Sequence, residues 1–284
     1  MAGRSATADS GLRHNQTLCV CSPDLDKILY GLHSPDLVMV AARPGMGKTA
    51  FMLNLAQYAA VKKNIPVAVF NLEMSNEQLV KRMISSEAGI ESEKLRNGQL
   101  SSNDWNNFAS VFDTLGNAPI YFDDNTDLTV TNIRAKCRKL KIEKGIKLVV
   151  VDYLQLMKSG SYSDSRQNEV SDISRSLKTL AMELGVPVIA LSQLSRGVEA
   201  REDKRPLMSD LRESGSIEQD ADIVGFLYRD DYYNKEARTE DNNSISEFII
   251  GKHRNGPTAT VELLFKKNTS TFLNLRKDRE SVEG

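Results

Sequence analysis

Cysteine is scarce in this chain: Cys19, Cys21 and Cys137 are the only three in 284 residues. An odd count cannot pair completely, and the one-residue gap between Cys19 and Cys21 fits neither half of the common zinc pairs. The expectation is reduced thiols in a cytosolic protein, with neither a disulfide framework nor a cysteine-bound metal. Long apolar runs are missing too. None nears the roughly 18 residues of a membrane-spanning helix, so no membrane partner is expected. Residues 1–14 lack the apolar centre of a secretory signal, and residues 1–22 read as a disordered tail or a remnant of a linker. Neither sign of charge is in excess, since 37 Lys and Arg face 38 Asp and Glu. That balance argues neither for nor against nucleic acid, because a basic groove can sit inside a neutral total. There is no internal repeat and only one tryptophan, Trp105.

What is present centres on Ala41-Ala42-Arg43-Pro44-Gly45-Met46-Gly47-Lys48-Thr49. An apolar run, Leu37 to Val40, precedes it, and a helical pattern with Phe51, Leu53 and Leu55 follows. Strand, glycine-bearing turn, Lys-Thr and helix in that order are the context of a P-loop. Such a turn aims backbone N–H groups and a helix N-terminus at one point, where phosphate charge is stabilised. Arg43, Pro44, Gly45, Gly47 and Ala50 would line the cradle, Lys48 would reach the β- and γ-phosphates, and the Thr49 hydroxyl would hold Mg²⁺. Ala42 stands where a first glycine is usual, so the turn must begin in a conformation open to a Cβ.

Around this motif, apolar strand runs alternate with helical patterns. Pro66 to Leu72 reads as a strand and leads to Ser75-Asn76-Glu77-Gln78, a capping box opening a helix. Residues 91–117 read as polar helical material, and Pro119 to Phe122 as a strand. Thr131 is expected to cap a basic helix that ends at Gly145; its cations read as a solvated face. Lys147 to Asp152 is a buried strand, 158–168 a loop, and Val170 to Leu184 a helix stopped by Gly185. Val186 to Ser192 and Ala221 to Tyr228 are further strands, with a charged loop over 195–210. The runs 246–252, 258–266 and 271–275 then read as an antiparallel extension. The expected fold is a doubly wound α/β domain over 23–277, with a mostly parallel sheet, helices on both faces and a short tail over 278–284.

Three polar residues end apolar strands, where ligands bind in open α/β sheets. Asp152 suits a Mg²⁺-holding carboxylate. Glu73 suits a base for the attacking water, although by itself it could equally neutralise a neighbouring arginine. Gln193 offers a neutral amide to a γ-phosphate.

Taken together, Ala-Arg-Pro-Gly-Met-Gly-Lys-Thr, Asn-Leu-Glu-Met-Ser, Val-Val-Asp-Tyr-Leu-Gln-Leu, Leu-Ser-Gln-Leu-Ser-Arg, the stretch Ser209 to Asp222 and Lys-His-Arg-Asn-Gly-Pro resemble, in order, the DnaB-type replicative hexameric helicases. The resemblance runs from about Leu25 to Leu275 and covers the RecA-like C-terminal motor of that family. It implies an ATP- and Mg²⁺-dependent DNA helicase moving 5′ to 3′ on single-stranded DNA as a homo-hexamer, in the cytoplasm of a bacterium or a phage-infected host. A primase and a helicase loader are the implied partners of the full-length protein. Position by position, it implies Lys48 and Thr49 as the Walker A pair, Glu73 as catalytic glutamate, Asp152 as Walker B aspartate and Gln193 as γ-phosphate sensor, with Arg82 near the phosphates. Lys252 and Arg254 would reach into the adjacent subunit's ATP site. Arg212, Glu213 and Gly215 would belong to the loop that grips DNA, Arg212 through phosphate and Gly215 through close backbone approach. Without the resemblance, Arg254 before Asn255-Gly256 is a cation on a hairpin turn. The competing functions are a recombinase-type RecA-like ATPase and a low-turnover module switched by ATP.

Overall fold

The computed structural model describes Leu18 and residues 22–125, 128–157, 166–211, 215–234, 236 and 242–275. At its centre runs β1 (Leu37–Ala42), buried at all six positions. A strand apolar on both faces must be covered on both faces, which is the parallel-sheet arrangement. β2 (Val67–Asn71), β3 (Ile120–Asp123), β4 (Leu148–Asp152), β5 (Val188–Gln193) and β6 (Ile223–Tyr228) join it in parallel. β7 (Asn243–His253), β8 (Thr260–Lys266) and β9 (Thr271–Asn274) continue the sheet antiparallel, in the order β3-β2-β4-β5-β1-β6-β7-β8-β9. The extension expected from the turn residues is therefore there, with β7 longer at both ends than its apolar run.

Alternation splits the central strand between two cores. Val38, Val40 and Ala42 face one core with α1 (Pro23–Leu29), α2 (Lys48–Gln57) and α3 (Asn76–Ala88). Leu37, Met39 and Ala41 face the other with α6 (Val130–Lys144) and α7 (Arg166–Leu184). Cys137 lies unpaired in that second core, and burial pushes its thiol up to about 12. A thiol held protonated by burial is a poor nucleophile. Cys19 and Cys21 lie outside the described residues.

Several local expectations change. The cap of α6 is Thr129, whose side chain accepts the Asn132 N–H; Thr131 sits inside the first turn. The polar stretch after α3 is two helices, α4 (Ser92–Asn97) and α5 (Ser102–Gly116), split where Gly98 takes a left-handed conformation. Of the loop expected over 158–168, residues 158–165 lie outside the described set and the rest already belongs to α7. The charged loop over 195–210 contains two short helical turns, Arg196–Ala200 and Met208–Asp210. Near the start, Leu18 pairs with Leu32, and Ser22 caps α1 while donating to Asn274. α8 (Gly215–Asp220) and α9 (Asp230–Tyr233) flank β6.

Register fixes where the strands end. Ala42 is level with Gln193, and Asn71 is level with Asp152. β1, β2, β4 and β5 therefore release their next residues at one edge, beside the point where the strand order reverses around β1.

Candidate active site

The turn leaving β1 depends on two glycines. Gly45 has φ +80° and Gly47 φ +97°, conformations that residues with a Cβ rarely take. Space is short as well: a Cβ on Gly45 would meet the Tyr232 ring at 2.8 Å, and one on Gly47 would meet Phe272 at 3.1 Å. Ala42 raises no such conflict, because it is still extended strand paired to Gln193. The turn tightens only after it, which accounts for alanine where a first glycine is usual. Gly47 also brings no side-chain cap to α2, so the helix's first N–H groups stay available to an anion.

Lys48 and Thr49 start α2 and point into a cleft of ≈ 320 Å³. Arg43 to Gly45, Gly47 to Ala50, Glu73, Arg82 and Gln193 line it, so most of the expected nucleotide-site residues converge there. Lys48 Nζ donates to the Ser192 carbonyl at 3.0 Å and lies 4.9 Å from the centre of the Tyr153 ring. Burial lowers the pKa of Lys48, against the pull of Asp152 and Glu73. A triphosphate would supply negative charge to favour this half-buried ammonium. Arg82, on α3, is likewise lowered by burial and partly offset by Asp152 and Glu73. Arg43 has its guanidinium committed: Nε pairs with Glu199 at 2.8 Å and Nη1 donates to Leu194 O at 2.8 Å. Its side chain fastens the chain after β5 to the turn after β1.

Asp152 is fully buried at the end of β4. Thr49 Oγ1 donates to its Oδ2 at 2.8 Å, while Oδ1 is buried without a hydrogen-bond partner. Burial raises its pKa, opposed by the Thr49 hydrogen bond and the Lys48 charge. An orphaned buried carboxylate oxygen beside a hydroxyl suits a hard cation, and the described residues hold no cluster of three His, Cys, Asp or Glu. One carboxylate and one hydroxyl, completed by water and phosphate, is a Mg²⁺ donor set rather than a site for a transition metal.

Lys252 and Arg254 do not join this cleft. Ile223 is level with Val38 at the start of β1 and also with His253. Both cations therefore sit at the opposite edge of the sheet from the turn that follows Ala42. Lys252 Nζ donates to the carbonyls of Ala221, at 2.8 Å, and of Glu218. Arg254 pairs with Asp222 at 3.2 Å and keeps a side chain 53% exposed. Arg212 and Glu213 lie outside the described residues; Gly215 opens α8.

The DnaB-like helicase C terminal domain family matches residues 20–274. The chain belongs to that family. The replicative DNA helicase DnaB of Geobacillus stearothermophilus is 57% identical over 255 residues, 89% of this chain and 56% of that protein. A solved DnaB-like replicative helicase, described with its interactions with primase, superposes at TM-score 0.87 and 43% identity, over 91% of this chain and 62% of the other. A solved ATPase domain superposes at TM-score 0.86 and 43% identity, covering 91% of each chain. The chain thus spans about half the length of the curated relatives it matches.

This DnaB-like domain also uses residues that the sequence reading passed over. Arg229, buried just after β6, donates to Gly45 O at 3.2 Å and pairs with Asp231 at 3.2 Å. Asp231 further takes Lys267 at 2.5 Å and the Ser244 hydroxyl. Gln155 brackets Gln193: its Oε1 accepts the Gln193 N–H at 3.1 Å and its Nε2 donates to Gln193 O at 3.2 Å. Three charged residues directly after an apolar strand, Arg229-Asp230-Asp231, were the available signal for the first. The second carried none beyond its motif.

Proposed function

We propose that this chain is the ATP-hydrolysing motor of a replicative DNA helicase, working as a ring of six copies on single-stranded DNA. The observation that carries the reading is the convergence of Lys48, Thr49, Glu73, Arg82, Asp152 and Gln193 on one cleft at one sheet edge. Lys48 and the α2 N-terminus hold the phosphates, and Thr49 with Asp152 holds Mg²⁺. Held there by Thr49 and Asp152, the ion would supply positive charge against the phosphates. Glu73 takes a proton from the attacking water, and Gln193 hydrogen-bonds the γ-phosphate without adding negative charge. Lys252 and Arg254, at the far edge, complete the site of the next copy, where a cation stabilises transition-state charge. Arg212 and Gly215 hold the DNA backbone, and the reading extends to a primase and a loader as partners of the full-length protein.

The test is ATP turnover with and without single-stranded DNA, beside unwinding of a forked duplex, with Lys48→Ala as the inactive reference. Turnover stimulated by DNA together with unwinding is expected. Strand exchange instead of unwinding would assign the chain to the recombinase type. Tight ATP binding with negligible turnover in either condition would make it an ATP-switched module.

A further inference from the structure

Asp222 lies between α8 and β6, and its side chain is 5% exposed. A carboxylate buried to that degree must be paired. Oδ2 accepts the Leu37 N–H at 2.8 Å and Lys178 Nζ at 2.6 Å; Oδ1 accepts Arg254 Nη1 at 3.2 Å. Its main chain holds the same arginine, since the Arg254 N–H donates to Asp222 O at 2.8 Å. Arg254 Nη2 leans on Gln219 O at 3.4 Å, within α8. Arg254 is thus gripped at backbone and guanidinium by one short segment, while about half of its side chain stays at the surface. Lys252 is moored to the same segment, and burial together with the nearby Arg254 charge lowers its pKa.

A long side chain at a subunit edge loses rotamer freedom when it enters a neighbour's site, and a guanidinium already fixed on one side loses less. Misplacing such a group by about 1 Å can cost on the order of 10²-fold in rate. We infer that Asp222 is a positioning residue that aims Arg254 at the neighbouring subunit's nucleotide. The inference rests on the reading of Arg254 as acting in trans. Asp222 touches no substrate itself.

Lys178 separates this role from plain structural support, because it shares the Asp222 carboxylate without touching Arg254. The experiment compares Asp222→Asn, Lys178→Met, Arg254→Ala and Glu73→Gln, singly and in mixed pairs, by steady-state ATPase at saturating single-stranded DNA. Asp222→Asn is expected to lower kcat on the order of 10²-fold with the KM for ATP held, the pattern of an interaction made in the transition state. Lys178→Met should keep its turnover. Mixing Asp222→Asn with Glu73→Gln should raise activity above either alone, because each chain supplies what the other lacks. Mixing it with Arg254→Ala should not, since both lesions lie on the arginine side. Near-normal kcat in Asp222→Asn, an equal loss in Lys178→Met, or gain on mixing with Arg254→Ala would each overturn the inference. If Arg254→Ala and Glu73→Gln fail to complement each other, the trans reading itself falls and takes the inference with it. Should Asp222→Asn not fold, judged by circular dichroism, the double variant Asp222→Asn/Lys178→Met removes the buried charges together. Full turnover in that double variant would again overturn the proposal.

Discussion

Glu73 sits on a turn its neighbours hold still. Its own N–H and that of Met74 donate to Asn71 Oδ1 at 3.1 and 3.4 Å, and Asn71 Nδ2 returns to Met74 O at 2.8 Å. An exposed carboxylate on a fixed backbone can wait for a water without being folded into an ion pair. Glu73→Gln should therefore bind ATP normally and hydrolyse it more slowly by on the order of 10²–10⁴, measured by single-turnover kinetics. Near-normal turnover would remove Glu73 from the chemistry. Arg212 is a second single-residue test. If it meets phosphate, Arg212→Ala should weaken binding to all single-stranded sequences alike and flatten the slope of log K against log salt by about 0.7. A loss that varied with base sequence would argue against a backbone contact.

At the scale of elements, the antiparallel extension steadies the turn that follows β1. Arg229 reaches Gly45 from the end of β6, Ser244 belongs to β7, Lys267 follows β8, and Phe272 of β9 closes on Gly47. Burial would raise the Asp231 pKa, yet hydrogen bonds from Arg229, Lys267 and Ser244 outweigh it and hold it at about 2. A folded pKa below the ordinary 3.8 gives stability that is complete above that value and lost as pH falls through about 2. Asp231→Asn should lower the neutral-pH stability by about 3 kcal/mol, as expected for a broken buried pair. It should also flatten the acid limb between about pH 4 and pH 2 in thermal melts, because the group that titrates there is gone. An unchanged acid limb would put the acid sensitivity elsewhere. The contacts themselves were not legible in the chain, because Gly45, Arg229, Asp231, Ser244 and Lys267 meet only after the sheet has formed. The P-loop was legible since its glycines, lysine and threonine act within one strand-to-helix step. Strand ends were legible for the same reason: Asp152 and Gln193 close apolar runs. The α6 cap was misplaced by two residues because Thr129 and Thr131 are equally suitable in type, and only the backbone chooses between them.

For the whole molecule, a site divided between two copies, as proposed, would make activity depend on how much protein is present. Specific ATPase activity should rise with concentration and level off as assembly completes, and nucleotide should shift that curve to lower concentration. Light scattering on the same samples should show mass rising in step. A specific activity independent of concentration would mean that each copy works alone. The two halves of that site lie at opposite ends of the strands, level with Ala42 at one end and Val38 at the other, roughly 13 Å apart along β1. Two copies related by a twofold axis would have to present both halves on one shared patch, whereas the turn and the two cations leave the strands at opposite ends. Contact through the proposed site would therefore be head to tail, a heterologous interface. A pair of copies made that way would hold one finished site and leave a bare turn at one end and an unused arginine at the other. Each added copy repeats the same step, so the series ends only by closing on itself, and a rotation that failed to close would give a filament in place of a ring.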